Sequence, residues 1–404
     1  MFPPLYLRRR YILALIAALL VFGVLVQKYI VPRIHKSQTG YELPADLVGR
    51  VSIEKVKSLE LIVGEPVVSS EDYNKKREFV HALSEIAPTL WKVRKTYYRD
   101  IPQQEFEEKI LGFVAQLDPH SSYESQSEVL EALKKLKETG GGPVPDLLEN
   151  PKPVLKIIPS VEAGHYGVLR IVDFNDLDGK GFATQLSDAC DAIWASAADG
   201  RVDGVVIDLR GNRGGYRNNA IVLVSAFMPK VGEHILTEKS YNTAGKQKVE
   251  RVLSVPDPLG MNFGRLRGLP VLILVDARSA SCSEIVAGVL QQFRIGVVAS
   301  QDVHTFGKGV VQTESLVSGG KLGRLLLTTH EYFIGHDYRV HGYGIYPDIH
   351  LTGGEEGNLV FEEDLENPIR PTGAAPRFVP MKERNPALDK SAREILKALK
   401  MGYK

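Results

Sequence analysis

Residues 278–312, RSASCSEIVAGVLQQFRIGVVASQDVHTFGKGVVQ, leave this chain few folds to choose from. An apolar run at 271–276 enters the stretch and stops at a serine-rich corner, Ser279-Ala280-Ser281-Cys282-Ser283-Glu284. Beyond it Ile285, Val286, Val289, Leu290 and Phe293 recur at helical spacing, so the corner opens a helix. A second apolar run, 295–299, predicts the next strand, and a loop then carries Thr305-Phe306-Gly307-Lys308-Gly309. Strand, corner, helix, strand is the grammar of an α/β sheet. A serine at such a corner lies beside backbone N–H groups and a helix N-terminus, a setting suited to a developing oxyanion. A lysine brought by the next loop can act as general base, since burial readily lowers its pKa. The same residues also fit a serine-rich helix cap followed by a glycine-flanked surface lysine. Physical chemistry alone does not choose.

Further upstream, the strand pattern VDGVVIDLR runs into Gly211-Asn212-Arg213-Gly214-Gly215, where paired glycines allow a sharp turn that aims N–H groups at a ligand. A plain strand-to-helix turn explains them nearly as well. Together these stretches closely resemble the carboxyl-terminal processing (tail-specific) serine peptidases. In that family SASASE is followed by TFGKGxVQ, and a DLRxNxGG segment precedes both. Here Cys282 replaces an alanine of the first block, and the second stands as Thr305-Phe306-Gly307-Lys308-Gly309-Val310-Val311-Gln312. The resemblance covers most of residues 97–351. It implies Ser281, the middle serine, as nucleophile, Lys308 as its base, and Gln312 as the residue that orients the lysine. It also implies an oxyanion hole from the N–H of Cys282 and that of Gly214 or Gly215, between which the sequence does not decide. Ser279 and Ser283 are expected to cap or line the turn, and Glu284 to be an exposed first-turn residue favoured by the helix dipole. Lys308 follows Ser281 by 27 residues, slightly more than is usual in the family, and the extra length falls in the polar loop 300–304.

The N-terminus constrains location. Residues 11–26 are an uninterrupted apolar run preceded by Arg8-Arg9-Arg10 and followed by Lys28, Pro32 and Arg33, with no small-x-small cleavage site. An uncleaved anchor fits this better than a removed signal peptide. The basic flank keeps the tip in the cytoplasm and places the body outside. The expectation is a single pass of the inner (cytoplasmic) membrane with the catalytic part on the periplasmic side.

Four regions follow: a tip and anchor at 1–33, an N-terminal helical region at 34–123, a helix and Gly/Pro linker at 124–153, and a peptidase core at 154–404. Members of the resembled family carry a PDZ module where this chain has only 124–153, too short for an independent domain. Substrate delivery by an activator, an adaptor or a homo-oligomer is therefore expected. LDPHSSY at 117–123 resembles the family's closing segment of the helical region, and an Asp-Pro turn with capping hydroxyls accounts for His120 better than catalysis does.

Within the core, strands are expected at 165–174, 202–210, 269–276, 295–299 and 323–334. Helices are expected at 182–197, 221–228, after Ser281, and at 386–399, with 234–263 as an excursion. The fold class is α/β: a crotonase/ClpP-like peptidase core of parallel sheet and helices, plus the N-terminal helical region and transmembrane helix.

A formal charge of +1 and the lack of basic runs with interleaved aromatics after the N-terminus point away from nucleic acid. The two cysteines give neither a disulfide framework nor a CxxC site, and Cys190 is expected to be a small buried residue. The histidines lack metal-site spacing, so neither metal nor cofactor is expected. The function that follows is a membrane-anchored serine endopeptidase acting on proteins or peptides through a Ser-Lys dyad and an acyl-enzyme. A catalytically silent binding protein and an acyl-CoA enzyme of the hydratase type are the rivals on this fold.

Overall fold

The computed structural model describes residues 118–125, 127–128, 157–175, 180–241, 247–253, 263–316, 323–353, 359–365, 368–369, 371 and 375–404. The expected anchor, most of the helical region and most of the 124–153 linker lie outside the described residues. Among the described residues no helix is long and apolar enough to cross a membrane.

The expected alternation forms one six-stranded sheet. Its strands are β2 (Ile157–Glu162), β3 (Tyr166–Ile171), β4 (Gly204–Asp208), β7 (Val271–Val275), β8 (Gly296–Ser300) and β12 (Ile349–His350). They stand in the order β12-β8-β7-β4-β3-β2, parallel throughout except that β2 meets β3 antiparallel. Central strands β4 and β7 are buried along their whole length, which explains why GVVID and VLILV are apolar without alternation. Alternation survives in which side each residue faces. Val205, Ile207, Val271, Ile273 and Val275 join one core cluster, while Val206, Leu272 and Leu274 join the other.

The first face is covered by helices α1 (Lys180–Ser196), α2 (Arg217–Phe227) and α3 (Cys282–Gln292), and Phe182, Leu186, Leu223 and Val286 are fully buried there. On the second face lies α5 (Pro386–Ala398), reached through the short α4 (Met381–Arg384), with Ala392, Ile395 and Leu396 against the sheet. Asn385 caps α5 by accepting from Leu388 N at 3.2 Å, with Pro386 at the first turn. Cys190 is only partly buried, at the margin of the first cluster, and not the enclosed residue expected.

A second sheet, antiparallel, is the main addition to the expected fold. It comprises β1 (Ser122–Glu124), β5 (His234–Tyr241), β6 (Gln247–Leu253), β9 (Val310–Leu316), β10 (Arg324–Ile334) and β11 (Tyr338–Arg339). The supposed excursion at 234–263 contains the β5–β6 hairpin. β10 is the hub, pairing with β1, β5, β9 and β11. β9 begins two residues after Lys308, so this sheet fixes where the lysine loop ends.

Candidate active site

Three loops leave the carboxyl ends of adjacent parallel strands: residues 209–216 after β4, 276–281 after β7, and 301–309 after β8. Open α/β sheets place their ligand sites there. Buried polar side chains weld the three together. Ser279 Oγ donates to Leu209 O at 2.9 Å, and Ser283 Oγ donates to Asn212 O at 2.8 Å. Ala280 N donates to Asn212 O at 3.1 Å, and Phe306 N to Ser279 O at 3.1 Å. Ser279 and Ser283 thus line the turn as expected, which leaves Ser281 as the serine that opens onto a cavity.

Ser281 is the N-cap of α3 with φ 55 and ψ −112. A non-glycine residue held left-handed costs about 1–3 kcal/mol and persists only where its surroundings over-determine it. Two groups do so here, and both also hold Lys308. The Glu284 carboxylate accepts from Ser281 N at 2.8 Å and Lys308 N at 2.9 Å through Oε2. Through Oε1 it accepts from Thr305 Oγ1 at 2.6 Å and Gly307 N at 2.7 Å. On the other side, the Tyr332 hydroxyl on β10 is shared between Ser281 O at 3.1 Å and Lys308 O at 3.0 Å. The expectation of an exposed Glu284 is corrected: it is fully buried, because four donors converge on it and a carboxylate only accepts. Burial pushes its pKa up to about 7 against the pull of those hydrogen bonds. Only the capping-box spacing of Ser281 and Glu284 is local. The other partners of Glu284 lie 21 to 24 residues away and those of Tyr332 lie 51 and 24 away, so only the fold brings them in.

Lys308 is held below the ordinary lysine pKa by burial, the condition for a free amine. The negative charge of Glu362, and more weakly those of Asp118 and Glu284, act against it. Glu362 is itself buried and accepts at both oxygens from His120 Nε2 at 2.8 Å. His120 therefore stands beside the lysine's surroundings, while Asp118 makes the capping turn expected of it, accepting from His120 N, Ser121 N and Ser121 Oγ. Gln312 lies in the Ser281 cavity, and its Nε2 donates to Thr328 Oγ1 at 3.4 Å. Among the described residues no hydrogen bond joins Lys308 Nζ to Ser281 Oγ or to Gln312. Ser281 and Lys308 open onto separate cavities of about 710 and 600 Å³ on either side of the corner.

The two candidate oxyanion glycines differ. Gly214 N already donates to Asn212 Oδ1 at 2.8 Å. A side chain at Gly214 would put its first carbon 2.8 Å from Ser281 Cβ, so glycine there lets the turn press against the corner. Gly215 lines the Ser281 cavity, and no acceptor among the described residues takes its N–H or that of Cys282. The Cys282 thiol donates to Gly215 O at 3.0 Å, and burial pushes its pKa up to about 12. At neutral pH it is a protonated donor, not a rival nucleophile. Among the described residues no cluster of His, Cys, Asp and Glu could hold a metal ion.

The build is that of an α/β fold with a serine on a tight corner beside preorganised N–H donors, a setting that suits a developing oxyanion. This chain matches the model of Peptidase family S41 over residues 165–351. It is 34% identical to the carboxy-terminal-processing protease of Bartonella bacilliformis over 186 residues, 46% of this chain and 38% of that one. To a probable CtpA-like serine protease of Staphylococcus aureus it is 30% identical over 196 residues, 48% and 35% of the two chains. The chain thus spans well under half the length of these relatives. Among solved structures it resembles a lipoprotein from Streptococcus agalactiae, with TM-score 0.47 and 17% identity over 74% of this chain and 92% of that one. The photosystem II D1 C-terminal processing protease aligns with TM-score 0.43 and 17% identity over 70% and 93%.

Proposed function

We propose that the chain is a serine endopeptidase of the C-terminal processing type, working through Ser281 and Lys308. The observation that carries this reading is the double tie between the two residues. One buried carboxylate and one buried hydroxyl each hold both backbones, an arrangement a lone helix cap does not need. Ser281 Oγ attacks the scissile carbonyl and passes its proton to the Lys308 amine. The oxyanion forms against the N–H groups of Cys282 and Gly215, the glycine whose N–H is unspent. Lys308 then gives the proton to the leaving amine, and water releases the acyl group in a second round. The chain substrate is protein or peptide. The apolar run 11–26 with its basic flank supports a membrane-anchored enzyme whose core faces the periplasm, and the short 124–153 stretch supports delivery by an adaptor or a second copy.

One observation favours a second reading, a catalytically silent binding protein: Ser281 and Lys308 face different cavities with no hydrogen bond between them. Digestion of an unfolded model protein by the full-length chain separates the two. Cleavage that disappears in both Ser281→Ala and Lys308→Ala, with folding kept, is the expected result. Cleavage that survives both substitutions would exclude the dyad, and a fluorophosphonate probe that never labels Ser281 in the presence of candidate adaptors would favour the silent protein.

A further inference from the structure

The Lys308 cavity carries more positive charge than the dyad requires. Arg213, from the turn after β4, and Arg278, from the corner before Ser281, both line it with Lys308 and both are exposed. Neither guanidinium is paired with a carboxylate among the described residues. The carboxylate whose charge acts most on the lysine, Glu362, is already spent on His120. Apart from His120 the rest of the rim is apolar, with Leu359 43% and Val360 53% exposed. Ala280 lines the same cavity, so it begins one residue from the nucleophile.

Unpaired guanidiniums beside exposed aliphatic side chains make a surface for an apolar peptide segment that ends in, or carries, a negative charge. Planar guanidinium groups suit carboxylates, and such charge-assisted contacts are the strong ones. A hollow of about 600 Å³ admits a short peptide tail.

We infer that Arg213 and Arg278 form a carboxylate-binding subsite on the Lys308 side of the scissile bond, selecting substrates with a carboxylate within a few residues of the cut. This rests on the peptidase reading for the position of the cut, not for the binding itself. The carboxylate has two sources, the free C-terminus of the substrate or an acidic side chain. Either way, the pair supplies locally the grip on a substrate tail for which the chain has no room in residues 124–153.

The test is binding, measured by fluorescence anisotropy on full-length protein carrying Ser281→Ala so that nothing is cut. Labelled apolar peptides are compared as free acid and as C-terminal amide, and with internal Asp against Asn. One acidic peptide is expected to bind at least about tenfold more tightly than its neutral twin. That preference should weaken with salt and vanish when Arg213→Ala and Arg278→Ala are added, and Arg278→Lys should restore part of it. A preference that follows the free acid identifies the C-terminus, and one that follows Asp identifies the side chain. Equal binding of acidic and neutral peptides, no binding of either, or a preference that survives both arginine substitutions would overturn the assignment. Selective binding by a chain that cleaves nothing and whose Ser281 is never labelled would leave this subsite standing and remove the peptidase reading instead.

Discussion

Two cavities flank the Ser281 corner, each with two arginines on its wall, and they treat that charge in opposite ways. On the Ser281 side Arg217 pairs with buried Glu238, and Arg324 Nε donates to Glu124 at 2.9 Å. On the Lys308 side Arg213 and Arg278 stand exposed with no partner among the described residues. A paired guanidinium is a structural part: remove Arg217 and the buried carboxylate of Glu238 is left uncompensated. An unpaired one costs the fold little and is available to a ligand. The same residue type is scaffold on one wall and binding surface on the other, and its partners decide which.

The largest effect that sharpens this contrast lies at the corner between the cavities. Ser281→Ala or Lys308→Ala should each lower kcat by about 10⁴-fold or more with little change in melting temperature, and the double variant should be no worse than the singles. Next comes stability. Arg217→Ala should destabilise the fold by about 2 kcal/mol, less than for a fully buried pair because the arginine is over a third exposed. Arg278→Ala should stay within about 0.5 kcal/mol. Equal losses in denaturant titrations of the two variants would erase the distinction between the walls. Tyr332→Phe should cost about 1 kcal/mol and lower kcat more than it changes KM, because it loosens the backbone carbonyls of both Ser281 and Lys308.

The smallest effects are read against pH. Lys308 must be unprotonated to act, so kcat/KM should rise with pH through its lowered pKa, at a lower pH than an ordinary lysine would give. Glu284 works on the fold. Its folded pKa, about 7, lies above the ordinary 4.5, so its favourable contribution is complete below about 4.5 and is lost as pH rises through about 7. A Glu284→Gln variant should show a flatter dependence of stability on pH across that window. It should also be less active throughout, since an amide nitrogen would face an N–H donor.

Much of this was legible in the residues. The apolar runs of β4, β7 and β8 announced buried parallel strands, and the serine corner and the glycine-flanked lysine announced themselves by residue type and order. Other features were not, and each for the same reason. Glu284 looks like a surface glutamate because three of its four donors come from the loop carrying Thr305, Gly307 and Lys308, 21 to 24 residues on. Tyr332 looks like core packing because its hydroxyl partners are 51 and 24 residues away. The antiparallel sheet hides because β10 borrows neighbours from before residue 125 and after residue 337. Even the choice between Gly214 and Gly215 depends on one side chain, Asn212, whose Oδ1 spends the first N–H.

The pairing of β1 with β10 has a consequence for the newborn chain. Ser122 meets Leu326, and Ser121 Oγ accepts from Thr328 N at 3.0 Å, so a loop of some two hundred residues closes there. Closing so long a loop is entropically costly and comes late in folding. The hydroxyl that grips both dyad carbonyls is Tyr332, on the same strand. Until β10 has been synthesised and docked, serine and lysine have no common anchor on that side. A chain still on the ribosome therefore holds serine and lysine without their shared anchor, and β10 works as a safety catch on the chemistry proposed for them.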